Sequence, residues 1–179
     1  EKNFLNISGE KFSGKTHLTN IFLKKFNGIR IESNLLNDEH LKEIKPYQNV
    51  VLENLNLDVN EKLVYSLFNL IDLDNKFLII TSSEPITEVK FKLEDLKSRT
   101  KNCLLAKIEN PDDELMFALI LKNLSDRQIT LDKKLIDFII KRVERSYGKI
   151  FEFIYKIDKI SLKKKKSIDF KIINEALEK

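Results

Sequence analysis

The chain has 179 residues, 42% of them hydrophobic and 34% charged, enough for one domain with a small appendage and too apolar for wholesale disorder. Its 32 basic and 28 acidic side chains leave a net charge of +4, which permits contact with nucleic acid without arguing for it. No apolar run reaches the length of a membrane span, no signal peptide is read at the start, and the single cysteine, Cys103, makes neither an internal disulfide nor a zinc site alone, so the expected setting is a reducing cytoplasm with no membrane contact.

In chain order, Phe4, Leu5 and Ile7 read as a buried parallel strand. Gly9-Glu10-Lys11-Phe12-Ser13-Gly14-Lys15-Thr16 follows, a complete G-x-x-x-x-G-K-T that holds two of only four glycines. His17 comes next, and Leu18, Ile21 and Phe22 recur at helical spacing. Gly28 to Glu32 reads as a second strand. Leu35 to Ile44 reads as a helix stopped by Pro46. A third strand covers Asn49 to Asn54, and a helix covers Asn60 to Leu73 with Leu63, Leu67, Leu70 and Ile71 on one face. A fourth strand is expected at Phe77 to Ser82, a short helix at Leu93 to Arg99 and a fifth strand at Cys103 to Ile108. This alternation predicts an α/β fold with a five-stranded parallel sheet covered on both faces.

After Asn110-Pro111 the strand signals stop. Helices are predicted over Asp112 to Leu124, Asp132 to Arg145, Tyr147 to Ile160 and Asp169 to Leu177. The expected division is a nucleotide-binding domain at 1–110 and a small all-helical lid at 111–179. The run Lys163 to Lys166 reads first as a solvated loop, with contact to nucleic acid or an acidic partner as the lesser reading.

The glycine loop has a chemical logic. Glycine lets the backbone approach a ligand and turn its N–H groups inward. The helix N-terminus beyond it adds partial positive charge. Lys15 can reach β- and γ-phosphates as a mobile charge, and the Thr16 hydroxyl can ligate a Mg²⁺ that keeps most of its waters. The nucleotide contacts are therefore expected from residues 9–17. Glu53, which closes an apolar strand, fits the acidic position on the Mg²⁺ side, against the plainer reading of a solvated strand-end carboxylate. The next residue is Asn54, whose amide can orient a water but cannot take its proton; an ordinary strand-end turn is the even alternative. Thr81, Ser82 and Ser83 close the fourth strand, where a polar group can touch a γ-phosphate or attacking water, or simply open the turn before Pro85.

Several segments resemble AAA+ ATPases of the DnaA clade: Gly9 to Leu18, Ile79 to Ser83 with Pro85, Leu93-Glu94-Asp95-Leu96-Lys97-Ser98-Arg99, and Asn110 to Glu114. Within the clade the chain is more similar to the Hda-type regulatory inactivators, through Leu52-Glu53-Asn54-Leu55, through the stretch from Lys141 to Arg145 and on to Ile157, Asp158 and Ser161, and through an end at the lid. The resemblance implies a regulator of replication initiation that binds ADP or ATP with Mg²⁺ and is at most a weak ATPase. It implies that Arg99 is an arginine finger acting in trans on a DnaA-type AAA+ initiator, and that Ser82 or Ser83 is the first sensor. The lid arginine that contacts nucleotide in the family falls at Gly148, with Arg145 as its substitute. The family's N-terminal segment, which docks on the sliding clamp, is missing from this sequence. Homo-oligomer formation and direct DNA contact stay open. The alternative reading is a DnaA-type initiator fragment or a helicase loader with its own hydrolysis.

Overall fold

A computed structural model describes residues 3–178. They form two compact units that divide between Ile108 and Glu109, two residues before the position expected from Asn110-Pro111.

The first unit contains β1 (Phe4–Ser8), α1 (Lys15–Lys25), β2 (Gly28–Glu32), a 3₁₀ turn (Ser33–Leu35), α2 (Asp38–Glu43), β3 (Asn49–Leu55), α3 (Glu61–Leu73), β4 (Phe77–Ser82), α4 (Glu94–Thr100) and β5 (Leu104–Lys107). The five strands are all parallel, in the order β2-β3-β4-β1-β5. Residues alternate between the two faces of the sheet. One face carries Phe4, Val50, Leu52, Leu78 and Ile80 into the main core, where α3 adds Val64, Leu67, Phe68 and Ile71. Phe4 and Phe68 stack with ring centroids 4.8 Å apart. The other face carries Ile7, Val51 and Ile79, packed against Phe22 and Leu23 of α1.

Two expectations fail here for physical reasons. The buried side of α1 is Lys15 and Thr19, while Leu18 and Ile21 are 45% and 52% exposed. The helix is turned by its polar contacts to the loop and to β3, which outweigh its weak apolar stripe. The sheet is also not covered throughout. Every residue of β5 is exposed; it is an edge strand with β1 as its neighbour.

The second unit holds α5 (Asp113–Ser125), α6 (Lys133–Ile140), α7 (Tyr147–Lys164) and α8 (Phe170–Leu177). Its own core gathers Met116, Ile120, Ile136, Ile154, Ile157 and Ile173 with neighbours from all four helices. Asp112, Ser146 and Asp169 cap three of these helices by accepting from backbone N–H groups one turn in. The helix α6 stops at Ile140, before the expected Arg145, with Lys141 as its C-cap, and Ser146 opens α7 five residues later. Lys165, left-handed at φ 52°, ends α7 one turn later than expected.

Candidate nucleotide site

The loop between β1 and α1 has the backbone that its glycines predict. A Cβ on Gly9 would stand 2.9 Å from Ser13 Oγ and 3.0 Å from Ile108 Cβ, so a side chain here would force its neighbours to shift. Gly14 sits at φ 93°, in the left-handed region. It is also the N-cap of α1, and it supplies no side-chain cap; no acidic residue lies in the first turn. The helix therefore begins without the usual side-chain acceptor, the arrangement that favours an anion at its amino end.

Lys15, the first residue of α1, folds back over the loop. Its ammonium donates to Gly9 O at 2.6 Å and Glu10 O at 2.8 Å. Burial holds its pKa below the ordinary lysine value, while the charges of Glu53 and Glu10 pull the other way. A cation tied to two neutral carbonyls is under-compensated, and phosphate oxygens in the same place would serve it better. Lys11 approaches the Phe12 ring at 5.3 Å. Lys11, Phe12, Thr16 and His17 are exposed, Glu10 and Ser13 half-buried.

Glu53 is 1% exposed and ends in a cradle of hydroxyls. Its Oε2 accepts from Thr81 Oγ1 at 2.9 Å and from Thr16 Oγ1 at 3.2 Å; its Oε1 accepts from Thr19 Oγ1 at 2.5 Å. Arg30 Nε lies 3.6 Å from Oε1. The reading of Glu53 as a solvated strand-end carboxylate is thus overturned by its burial. Because Thr16 gives its proton to Glu53, a lone pair of the same oxygen is left for a hard cation. One hydroxyl beside one carboxylate fits Mg²⁺, which takes its remaining ligands from water and phosphate. Among the described residues no group of three or more His, Cys, Asp or Glu could hold a metal on its own.

Asn54 has φ 58° where the β3–β4 register shifts. Its side-chain amide donates to Glu32 Oε2 at 3.0 Å, and its backbone N–H donates to Thr81 Oγ1 at 2.9 Å. Ser82 is buried; it accepts from Asn6 Nδ2 at 2.8 Å and donates to Glu84 O at 2.6 Å. Ser83 is exposed in the next turn, lining a cavity of 350 Å³ with Leu55, Glu84 and Val89. Arg99, in α4, forms an ion pair with Asp72 of α3 and lies 5.8 Å from the Tyr65 ring centre. In the helical unit Arg145 bonds Asp113 at 2.8 Å, and Gly148 lies in the first turn of α7.

The structure thus brings Lys15, Thr16 and Glu53 together with Thr81, one of the polar residues read at the end of the fourth strand, and adds two residues that the sequence reading passed over: Thr19 and Arg30. Thr19 had one legible signal, a polar residue three positions after Thr16 and so on the same helical face. Arg30 had none, since its approach to Glu53 depends on β2 and β3 being neighbours.

Residues 112–177 match the family described as Hda, lid domain. Over these residues the chain resembles the lid of the Hda family. It is 25% identical over 187 residues to an uncharacterised protein of Haemophilus influenzae, covering 97% of this chain and 81% of that one. It is 30% identical over 142 residues to the chromosomal replication initiator DnaA of Borreliella afzelii, covering 79% of this chain but only 26% of the initiator. Domain III of Thermotoga maritima DnaA superposes with a TM-score of 0.77 at 20% identity, covering 99% of this chain and 84% of that structure. The AMPPCP-bound DnaA of Aquifex aeolicus gives a TM-score of 0.69 at 21% identity, covering 88% and 56%. At these identities the structural likeness speaks for the fold: a parallel AAA+ sheet with a helical lid.

Proposed function

We propose that the chain is an Hda-like regulator of replication initiation. It binds ADP or ATP with Mg²⁺ at residues 9–17 and stimulates hydrolysis on a DnaA-type partner through Arg99. The observation that carries this is the pairing of a complete phosphate loop, with Lys15, Thr16 and Glu53 clustered, and a lid matching the Hda family. The loop amides and Lys15 bind the phosphates; Thr16 and Glu53 face the metal side, where bound Mg²⁺ neutralises phosphate charge. Arg145 is the lid's candidate nucleotide contact.

Weak turnover by the chain itself is supported by Asn54. Its amide is engaged by Glu32, and an amide is no proton acceptor. Arg99 offers a planar, permanent cation of the kind that stabilises a transferring phosphoryl group. In this structure it rests on Asp72 with its side chain 31% exposed, a surface pair weak enough to exchange for another anion. Ser82, held by Asn6 and Glu84, fits a strand-end brace better than a mobile sensor, which leaves Ser83 as the sensor candidate.

The test is ATP turnover by a DnaA-type partner with parent, Arg99→Ala and Arg99→Lys added, beside melts of each variant. The expected result is stimulation by the parent alone, with a loss within the range of about 10³–10⁵ given for arginine fingers, and turnover by the isolated chain below about 1 s⁻¹, the low end of ordinary enzymes. Full stimulation by Arg99→Ala would overturn the proposal. Sliding-clamp contact, self-association and DNA binding are separate questions for the same preparation.

A further inference from the structure

Glutamate is one methylene longer than aspartate, so a glutamate ending β3 reaches further toward the phosphate loop. Something must hold its carboxylate back if Thr16 and a metal ion are to share that space. The two oxygens of Glu53 are in fact divided between two sets of partners. Oε2 takes the hydroxyls of Thr16 and Thr81. Oε1 takes Thr19, one turn further along α1, at 2.5 Å, with Arg30 Nε 3.6 Å away. Thr19 Oγ1 is also 3.1 Å from Thr16 O, but its single proton goes to the nearer and charged acceptor.

Arg30 is held in turn. Its Nη2 donates to Asn20 Oδ1 at 2.6 Å and lies 3.4 Å from Thr19 Oγ1. Its Nε is buried without a hydrogen-bond partner, aimed at Glu53 by charge. Arg30 pairs with Val51 across the β2–β3 ladder, so it stands on the same face of the sheet as Glu53, two residues further along β3. One helix residue and one strand residue therefore converge on a single carboxylate oxygen.

We propose that Thr19 and Arg30 are positioning residues for Glu53: they hold Oε1 on the far side, keep Oε2 at Thr16, and so set the Mg²⁺ dependence of nucleotide binding. This rests on the nucleotide-binding reading above. The pair acts through Glu53 and touches neither phosphate nor metal. Outer partners of this kind contribute about 10–100-fold to metal affinity. Removing them leaves the phosphate loop and Lys15 in place, so binding without metal is preserved while the gain from metal is lost.

The experiment is calorimetry of ADP binding in Mg²⁺ and in EDTA, for parent, Thr19→Val, Thr19→Ser and Arg30→Gln, with a melt of each. The expected result is equal affinity for all four in EDTA. The Mg²⁺-dependent gain falls about tenfold in Thr19→Val and Arg30→Gln, at the lower end of that range, and survives in Thr19→Ser, which keeps the hydroxyl. Arg30, with its side chain 31% exposed, carries the test if Thr19→Val melts early. A parent gain retained in both variants, or no gain in the parent, overturns the inference while leaving nucleotide binding intact. A parent that binds no ADP overturns both.

Discussion

Lys15 shows how one side chain couples ligand, burial and pH. Lys15→Ala removes the loop's mobile cation, and nucleotide affinity is expected to vanish; equal calorimetric binding by mutant and parent would sink the site. Its depressed pKa gives the pH dependence a definite sign. The folded, ligand-free protein holds this proton less tightly than the unfolded chain, whose value is near 10.5. Burying the charge therefore costs stability at neutral pH, and the cost is relieved as pH rises toward that value. Nucleotide affinity should run the other way, falling in the alkaline window below 10.5 as the ammonium is lost. Affinity and ligand-free melting temperature measured against pH, in the parent and in Lys15→Met, should diverge as described. Asn54 teaches a different lesson at the same scale. Its type was legible, but its partner Glu32 lies on a neighbouring strand, so the side chain's engagement was decided by the sheet.

Elements depend on their ends. Asn60 Oδ1 accepts from Lys62 N at 3.1 Å and Leu63 N at 3.4 Å, capping the helix that carries Val64, Leu67, Phe68 and Ile71 into the main core. Asn60→Ala should cost about 1 kcal/mol, read as a lower urea midpoint at unchanged slope. The next residue, Glu61, receives the backbone N–H groups of Lys92 and Leu93 at 2.7–2.9 Å and so fastens the segment that leads into α4 and Arg99. Those amides hold its pKa below the usual carboxylate value, the Lys92 contact first. The contribution is therefore present above pH 4.5 and is lost as pH falls through the lowered value. Glu61→Gln should destabilise at pH 7, with a deficit that shrinks as pH falls below 4.5 in denaturant melts; a deficit unchanged with pH would show that charge is not the cause.

Over the whole molecule, two cores are built separately, one between sheet and helices and one among the four lid helices. Ile154 is fully buried in the second, and Ile154→Ala should cost about 2–5 kcal/mol. A unit of this size has little stability to spare. The lid should therefore open first, with amide exchange rising across α5 to α8 while the sheet unit keeps its protection. Uniform loss across both units would contradict two separate cores.

Much of this was written in the local sequence. The phosphate loop was legible because glycine backbone demands, a lysine and a threonine must occur at fixed spacing. The five strands were legible because a parallel sheet needs continuous apolar runs, and the lid because its helices carry their own caps and stripes. Element ends were less so: α2 begins only after Asn37, whose side chain caps it at Glu39 N and His40 N, where apolar periodicity had started the helix at Leu35. What the tertiary structure alone decided was long-range pairing. The strand order brought Arg30 and Thr81 to Glu53, turned the polar side of α1 inward, left β5 open at the edge, and set Arg99 against Asp72. Periodicity records which face of an element is apolar, but a polar side chain finds its partner only when distant segments meet, and that meeting is fixed by the packing of the whole sheet.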